Sequence, residues 1–200
     1  ASGRHQDTRE ARSGGLVVSF GYESRRIATL TDGDGLVTRI ERDAAGSPLS
    51  ITAPFGQVTN LAVDPNGYLS EVRNPNGEAV VLSHDGQGLL RQMRDARGSL
   101  HVFTYGADGR LTADADPSGG TQGFAQVFDA LGYTVTRSTL LGRSTSYTVH
   151  DLPTGEEETI VVGPSGATSR VVRNRSDGSS ATTAADGTVT RSKTLDDSLW

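Results

Sequence analysis

Apolar and polar residues alternate along this chain in short runs, and each run ends at a glycine. In LSITAP (49–54) Leu49, Ile51 and Ala53 share one parity. In HVFTYG (101–106) His101, Phe103 and Tyr105 oppose Val102 and Thr104, and in LTADAD (111–116) Leu111, Ala113 and Ala115 oppose Thr112, Asp114 and Asp116. Alternation over five or six residues predicts half-buried strands. No segment carries a sustained i, i+3, i+4, i+7 stripe, so almost no helix is expected.

The glycines keep time. Those closing a turn-like tetrapeptide are Gly35, Gly46, Gly56, Gly67, Gly77, Gly88, Gly98, Gly109 and Gly119, separated alternately by 11 and 10 residues, so the unit is 21 residues: two strands and two turns. A fixed period of this length marks a repeat architecture. Asp stands three residues before the glycine at Asp32, Asp43, Asp64, Asp85, Asp95, Asp116 and Asp129, with Asn74 in the same place. Its side chain can accept a hydrogen bond from the backbone two residues on, and glycine tolerates positive φ. Pro54, Pro65, Pro75, Pro117, Pro153 and Pro164 all lie two residues before a glycine, where a fixed φ suits a type I turn; Pro48 alone does not. The expectation is a ladder of four-residue hairpin turns of type I with a glycine bulge.

After Gly119 the beat loosens, with turn-like glycines at 132, 142, 155, 166, 178 and 187 and strands expected in YTVTRST, STSYTVHD, TIVVG and TSRVVRN. The predicted fold is all-β, a repetitive antiparallel hairpin sheet of about 14 to 16 strands. It divides into a polar N-terminal arm (1–15), regular hairpin repeats (16–135) and degenerate repeats continuing the sheet (136–200).

Composition narrows the picture. The apolar set is 34%, brought near the ordinary folded range by 25 glycines, while aromatics are only 6%. Burial per residue is therefore modest, and a thin sheet is expected rather than a thick globule. The net charge of −5, with arginines interleaved among Asp and Glu, argues against a nucleic-acid footprint and for a solvated sheet face. There is no cysteine, hence no disulfide framework or thiolate chemistry. No apolar run is long enough to span a membrane as a helix. The opening ASGRHQDTREARSGG lacks a hydrophobic signal region, so either a leader was removed or the chain is a section of a longer polypeptide. Left alone, that segment would be mobile unless something besides its own hydrophobicity holds it down.

The unit Tyr-Asp-x-x-Gly-Arg-Leu, strand, Asp-Pro-x-Gly, strand resembles the RHS or YD repeat of bacterial polymorphic toxins, insecticidal toxin complexes and teneurins. Tyr105 to Leu111 followed by Asp116 to Gly119 matches it, as do Phe128-Asp129 to Gly132-Tyr133, Val63-Asp64 to Leu69, and His84-Asp85 to Leu90, with Tyr22-Glu23 and Arg26-Ile27 at its edge. The literal Tyr-Asp dipeptide never occurs. The resemblance implies long hairpin sheets that curl as a spiral shell, enclosing a polypeptide cargo or serving surface contact, in a bacterial protein that is secreted or displayed at the cell surface. The aspartyl autoprotease signature that closes many such shells is not matched, since Asp116-Pro117-Ser118-Gly119 runs into Gly120-Thr121-Gln122.

Other motifs read as ordinary structure. Thr31-Asp32-Gly33-Asp34-Gly35 lacks the ligand set of a calcium loop. Ser83-His84-Asp85 holds triad letters, but strand neighbours point to opposite faces. His5, His84, His101 and His150 share no metal-ligand spacing. Leu152-Pro153-Thr154-Gly155-Glu156 is a Pro-x-Gly turn, and Asn174-Arg175-Ser176 is a short glycosylation pattern frequent by chance. Glu156 to Glu158 reads as a solvated strand start. No catalytic, cofactor-binding or metal-ligating residue is assigned, no cofactor is expected, and an enzyme is disfavoured.

A hairpin sheet has two open ends whose unpaired backbone groups template further pairing. Neighbouring repeats would cover them in a full shell. In a free subunit further copies would, by strand addition, which makes an extracellular filament or surface-layer protein the alternative function.

Overall fold

The structure, a computed structural model, describes residues 4–10 and 13–194. Among these residues there are eighteen strands and no helix, and every ladder in either unit is antiparallel and joins strands adjacent in the chain. The predicted fold class is observed. The chain forms two compact units, Ala1–His101 and Val102–Trp200.

In the first unit β1 (Asp7–Arg9), β2 (Leu16–Glu23), β3 (Arg26–Asp32), β4 (Val37–Arg42), β5 (Pro48–Thr52), β6 (Val58–Val63), β7 (Leu69–Arg73), β8 (Ala79–His84) and β9 (Leu90–Arg94) form a meander. In the second, β10 (Leu100–Tyr105, its last four residues inside the unit), β11 (Leu111–Ala115), β12 (Thr121–Phe128), β13 (Gly132–Thr139), β14 (Ser144–Asp151), β15 (Glu156–Val162), β16 (Thr168–Asn174), β17 (Ser179–Thr183) and β18 (Val189–Lys193) do the same. Strands exceed the expected 14 to 16 because segments without apolar alternation, such as DTR and SSATT, also pair. Pro48 opens β5, the strand position where its missing N–H does least harm.

The turns are those the Asp-x-x-Gly spacing predicts. The Gly67 N–H donates to the Asp64 carbonyl (2.9 Å), the Asp64 N–H donates to the Tyr68 carbonyl (2.7 Å), and Gly67 has φ +87°. The same pair recurs from the turn at 32–36 to that at 184–188, except at 129–132 and 174–178, with non-glycine residues at negative φ, which defines a type I turn with a glycine bulge. The Asp64 carboxylate accepts from the N–H groups of Asn66 (2.9 Å) and Tyr68 (3.0 Å), so it braces both halves of the turn.

The sequence period contains one residue more than the ladders use. Two strands joined by symmetric turns return equivalent positions to the same face only when the repeat holds an even number of paired residues, and 21 is odd. In β6–β7 the register steps from Ala62↔Glu71 to Val63↔Leu69, leaving Ser70 unpaired. The same step leaves out Ala28, Leu49 and Arg91 in the first unit and Thr112 in the second. These bulges recur every 21 residues, and bulges strengthen local twist. A ladder row passes from Thr29 to Arg39 to Thr52, 23 residues for one repeat of 21. Equivalent positions are thus staggered by two residues, about 7 Å, per hairpin.

The bulges overturn two expected alternations. Leu49 is the unpaired residue and is 47% exposed, while its neighbour Ser50 is 6% exposed. Leu111 pairs with Tyr105 and Ala113 with the adjacent Thr104, so Leu111 and Ala113 lie on opposite faces. Gly132 is also not a bulge glycine. It opens β13 at ordinary φ after a tight turn in which the Asp129 N–H donates to the Gly132 carbonyl, and a Cβ there would collide with the Val149 carbonyl. The wider glycine spacing after Gly119 reflects eight-residue strands in β12, β13 and β14.

Within the N-terminal arm, β1 is held by backbone pairing to β2, by the Tyr22 hydroxyl donating to the His5 carbonyl (2.6 Å), and by His5 packed edge-on against Phe20. Backbone and aromatic contacts therefore supply what the arm's own composition does not.

Candidate interaction face

Directly paired residues in an antiparallel ladder share a face. In the first unit this places Phe20, Leu30, Ile40, Ile51, Leu61, Val72, Val80, Leu82 and Met93 on one side. Ile40 pairs with Ile51, Leu61 with Val72, and Leu82 with Met93, and all are half-buried. The other side carries Arg39, Ser50, Asn60, Glu71 and Arg94 in its rows, with Glu71 ion-paired to Arg73 at 2.9 Å. In the second unit apolar residues lie on both faces, with the aromatic pairs on one. Phe128 pairs with Tyr133, and Val135 with Tyr147, which pairs with Val161. Arg110 stands over the Phe128 ring.

Among the described residues these faces have no second layer within either unit. Each strand in a unit contacts only its neighbours in the chain, and among the described residues no apolar side chain is buried. The three buried residues are Ser50, Thr145 and Glu158. Phe128 is 63% and Tyr147 39% exposed. Apolar area left half in water contributes only part of the stabilisation of full burial, so each face gains from a cover.

The second unit's other face mixes Ile160, Val162 and Val172 with a polar group. The Thr134 and Thr148 hydroxyls bond at 2.8 Å. Beside them the His150 Nε2 meets the Asp129 carboxylate at 2.9 Å, its Nδ1 meets the Glu158 carboxylate at 3.4 Å, and Arg170 bonds to Glu158. The expected solvated strand start is thus corrected. Glu158 pairs directly with His150 in the β14–β15 ladder and is 8% exposed. Arg170 first, and then His150, hold its carboxyl below the usual range; hydrogen bonding to Asp129 foremost raises His150 above its usual value. Sequence offered no local signal for this group, because its members come together only through register.

The remaining motifs fall where turns and strands need them. Asp32 spends Oδ1 on the N–H groups of Asp34 and Leu36, and among the described residues no cluster of His, Asp or Glu could hold a metal ion. In Ser83-His84-Asp85 the His84 ring packs on Tyr68 while Asp85 binds Arg91. Asn174 accepts from Ser176 within a turn. Residues 152–156 close a hairpin. An open groove of 680 Å³ over β3–β5 includes Arg26 and Arg42, both donating to the Gly46 carbonyl.

Within each unit the described residues form a single-layer antiparallel sheet of repeated hairpins, the architecture of a β repeat protein. The family model of the teneurin YD-shell matches residues 1–198, and the chain belongs to that family. No curated protein matches it. Among solved structures, it is similar to a Photorhabdus luminescens Tc holotoxin pore at 12% identity and TM-score 0.43, over 92% of this chain and 13% of that one. It is also similar to a TcdB2-TccC3 crystal structure at 10% identity and TM-score 0.40, over 84% and 14%. The chain thus spans about one seventh of these structures' length. Its role is structural, as an RHS/YD-type β-shell section.

Proposed function

We propose that the chain is a non-enzymatic section of a secreted or surface-exposed shell wall, whose apolar face lies against enclosed polypeptide and whose open edges are met by neighbouring repeats. The observation that carries this is the apolar face of the first unit, uncovered among its described residues: a sheet that buries no apolar side chain there gains stability from what lies on it. The two-residue stagger per hairpin supports a curled wall, since closing a sheet requires such a shear. The regular repeats (16–135) and looser repeats (136–200) would form consecutive parts of that wall behind the arm (1–15). The test is to express the chain with the repeats that adjoin it in its parent gene and a fused unfolded segment, then digest with protease. Protection of the segment that is lost when Leu61 and Val72 are both changed to Asp supports enclosure; equal digestion in both forms refutes it.

A second reading, a self-assembling filament or surface-layer subunit, is favoured by β18. Among the described residues of its unit that strand pairs with β17 alone, and it is exposed along its whole length. Concentration-dependent oligomers lost on deleting residues 1–22 would select it over the shell.

A further inference from the structure

His150 lies where the turn of one hairpin meets the body of the next. On its own strand, β14, it pairs with Gly132 on one side and Glu158 on the other. Asp129 reaches it from the β12–β13 turn, Glu158 from β15, and Arg170 of β16 acts through Glu158. From β13 the same face presents Gly132, Thr134, Thr136 and Ser138, which carry no charge, and from β15 it also presents Glu156, which accepts from the Thr154 hydroxyl. Asp151 and Glu157, on the opposite face, are engaged by Arg175. Gly132 leaves no space for a side chain against β14, and the Asp151 N–H donates to the Leu131 carbonyl at 2.9 Å, so the turn is seated directly on that strand.

We propose that Asp129, His150 and Glu158 form a proton-dependent clasp, which holds the β12–β13 turn on the β14–β15 hairpin while the imidazole carries two protons and releases it when one is lost. An imidazolium donates from both nitrogens, one to each carboxylate. A neutral ring has one N–H, so one nitrogen lone pair must face a carboxylate oxygen. Glu158 cannot escape by turning into water, because its side chain is only 10% exposed, and Arg170 fixes its other oxygen. Asp129, 48% exposed, can swing outward, and the turn goes with it. The sign follows: the clasp is intact below the free imidazole pKa and is lost as pH rises through the raised value in the folded chain. The device needs nothing enclosed by the sheet and stands independently of the shell reading.

The test is hydrogen exchange at the Asp151 amide, which reports the bond to Leu131, with His150 titrated in parallel by NMR. After correction for intrinsic chemistry, the wild-type amide is expected to open about tenfold more at pH ~8.5 than at pH ~5.5, while the β10–β11 ladder is unchanged. His150→Gln is expected to show the open level at both values. Asp129→Asn keeps the Oδ1 bonds within the turn but removes the charge, and should flatten the pH response even if the His150 variant does not fold. A wild-type response equal to that of Asp129→Asn, or a His150 titrating at or below the free imidazole value, overturns the clasp.

Discussion

Ser24 and Arg25 make the whole of the β2–β3 turn, with φ of 44° and 69°. They are the only non-glycine residues at positive φ among the described residues, and consecutive positive φ values are the geometry of a type I′ hairpin. Side chains with a Cβ cost about 1 kcal/mol each in this region. Arg25→Gly should therefore raise stability by about 1 kcal/mol less the added entropy of the unfolded chain. A thermal melt with a clearly lowered midpoint would contradict the turn geometry.

The main glycine bulges rest on backbone conformation rather than on space. Gly67 has φ +87° with nothing within 4 Å of where a Cβ would sit, so a substitution meets only the conformational penalty. Gly67→Val should destabilise by about 1 to 2 kcal/mol, and Gly67→Asn by less, since Asn tolerates this region. Gly109→Val, at φ +78°, should behave like Gly67→Val. Urea melts that rank Asn and Val equally would point to crowding instead.

Most of the turn ladder was legible because its chemistry is local: Asp64, Pro65 and Gly67 each state their position within one tetrapeptide. What escaped was either unsignalled or non-local. Ser24 and Arg25 are not turn formers. The bulge residues Ala28, Leu49, Ser70, Arg91 and Thr112 share no side-chain chemistry, although the odd repeat length itself implies one unpaired residue. Glu158 looked solvated because its partner His150 is fixed by strand register and Arg170 by the next strand.

That spare residue predicts an asymmetry between deletions. Removing Ser70 leaves Val63↔Leu69 and Ala62↔Glu71 as they are, so every side chain keeps its face. Removing Asn60, which pairs with Ser50 on one side and Arg73 on the other, forces Thr59 or Leu61 across the sheet. The Ser70 deletion should cost no more than about 1 kcal/mol, and the Asn60 deletion more than about 2 kcal/mol through displaced apolar contacts. Equal losses measured by chemical unfolding would refute the bulge as the phase-setting element.

The turn carboxylates and Glu158 together set the acid limit. Backbone N–H groups, Ser99 first, hold Asp95 below its usual value, and Arg170 does the same for Glu158. Groups lowered on folding contribute stability above their unfolded pKa and lose it as pH falls through the folded value. Arg170→Met strips the partner from a nearly buried carboxylate. Arg170 is itself half exposed, so solvent screening discounts the loss to about 1 to 2 kcal/mol at neutral pH. Below the folded pKa of Glu158 the carboxyl is protonated and no longer needs the guanidinium, so the gap between wild type and variant should close. Unfolding curves at pH ~7 and at successively lower pH, until Glu158 is seen to protonate, measure it, and a gap that has not shrunk by then would mean that Arg170 acts by packing rather than by charge.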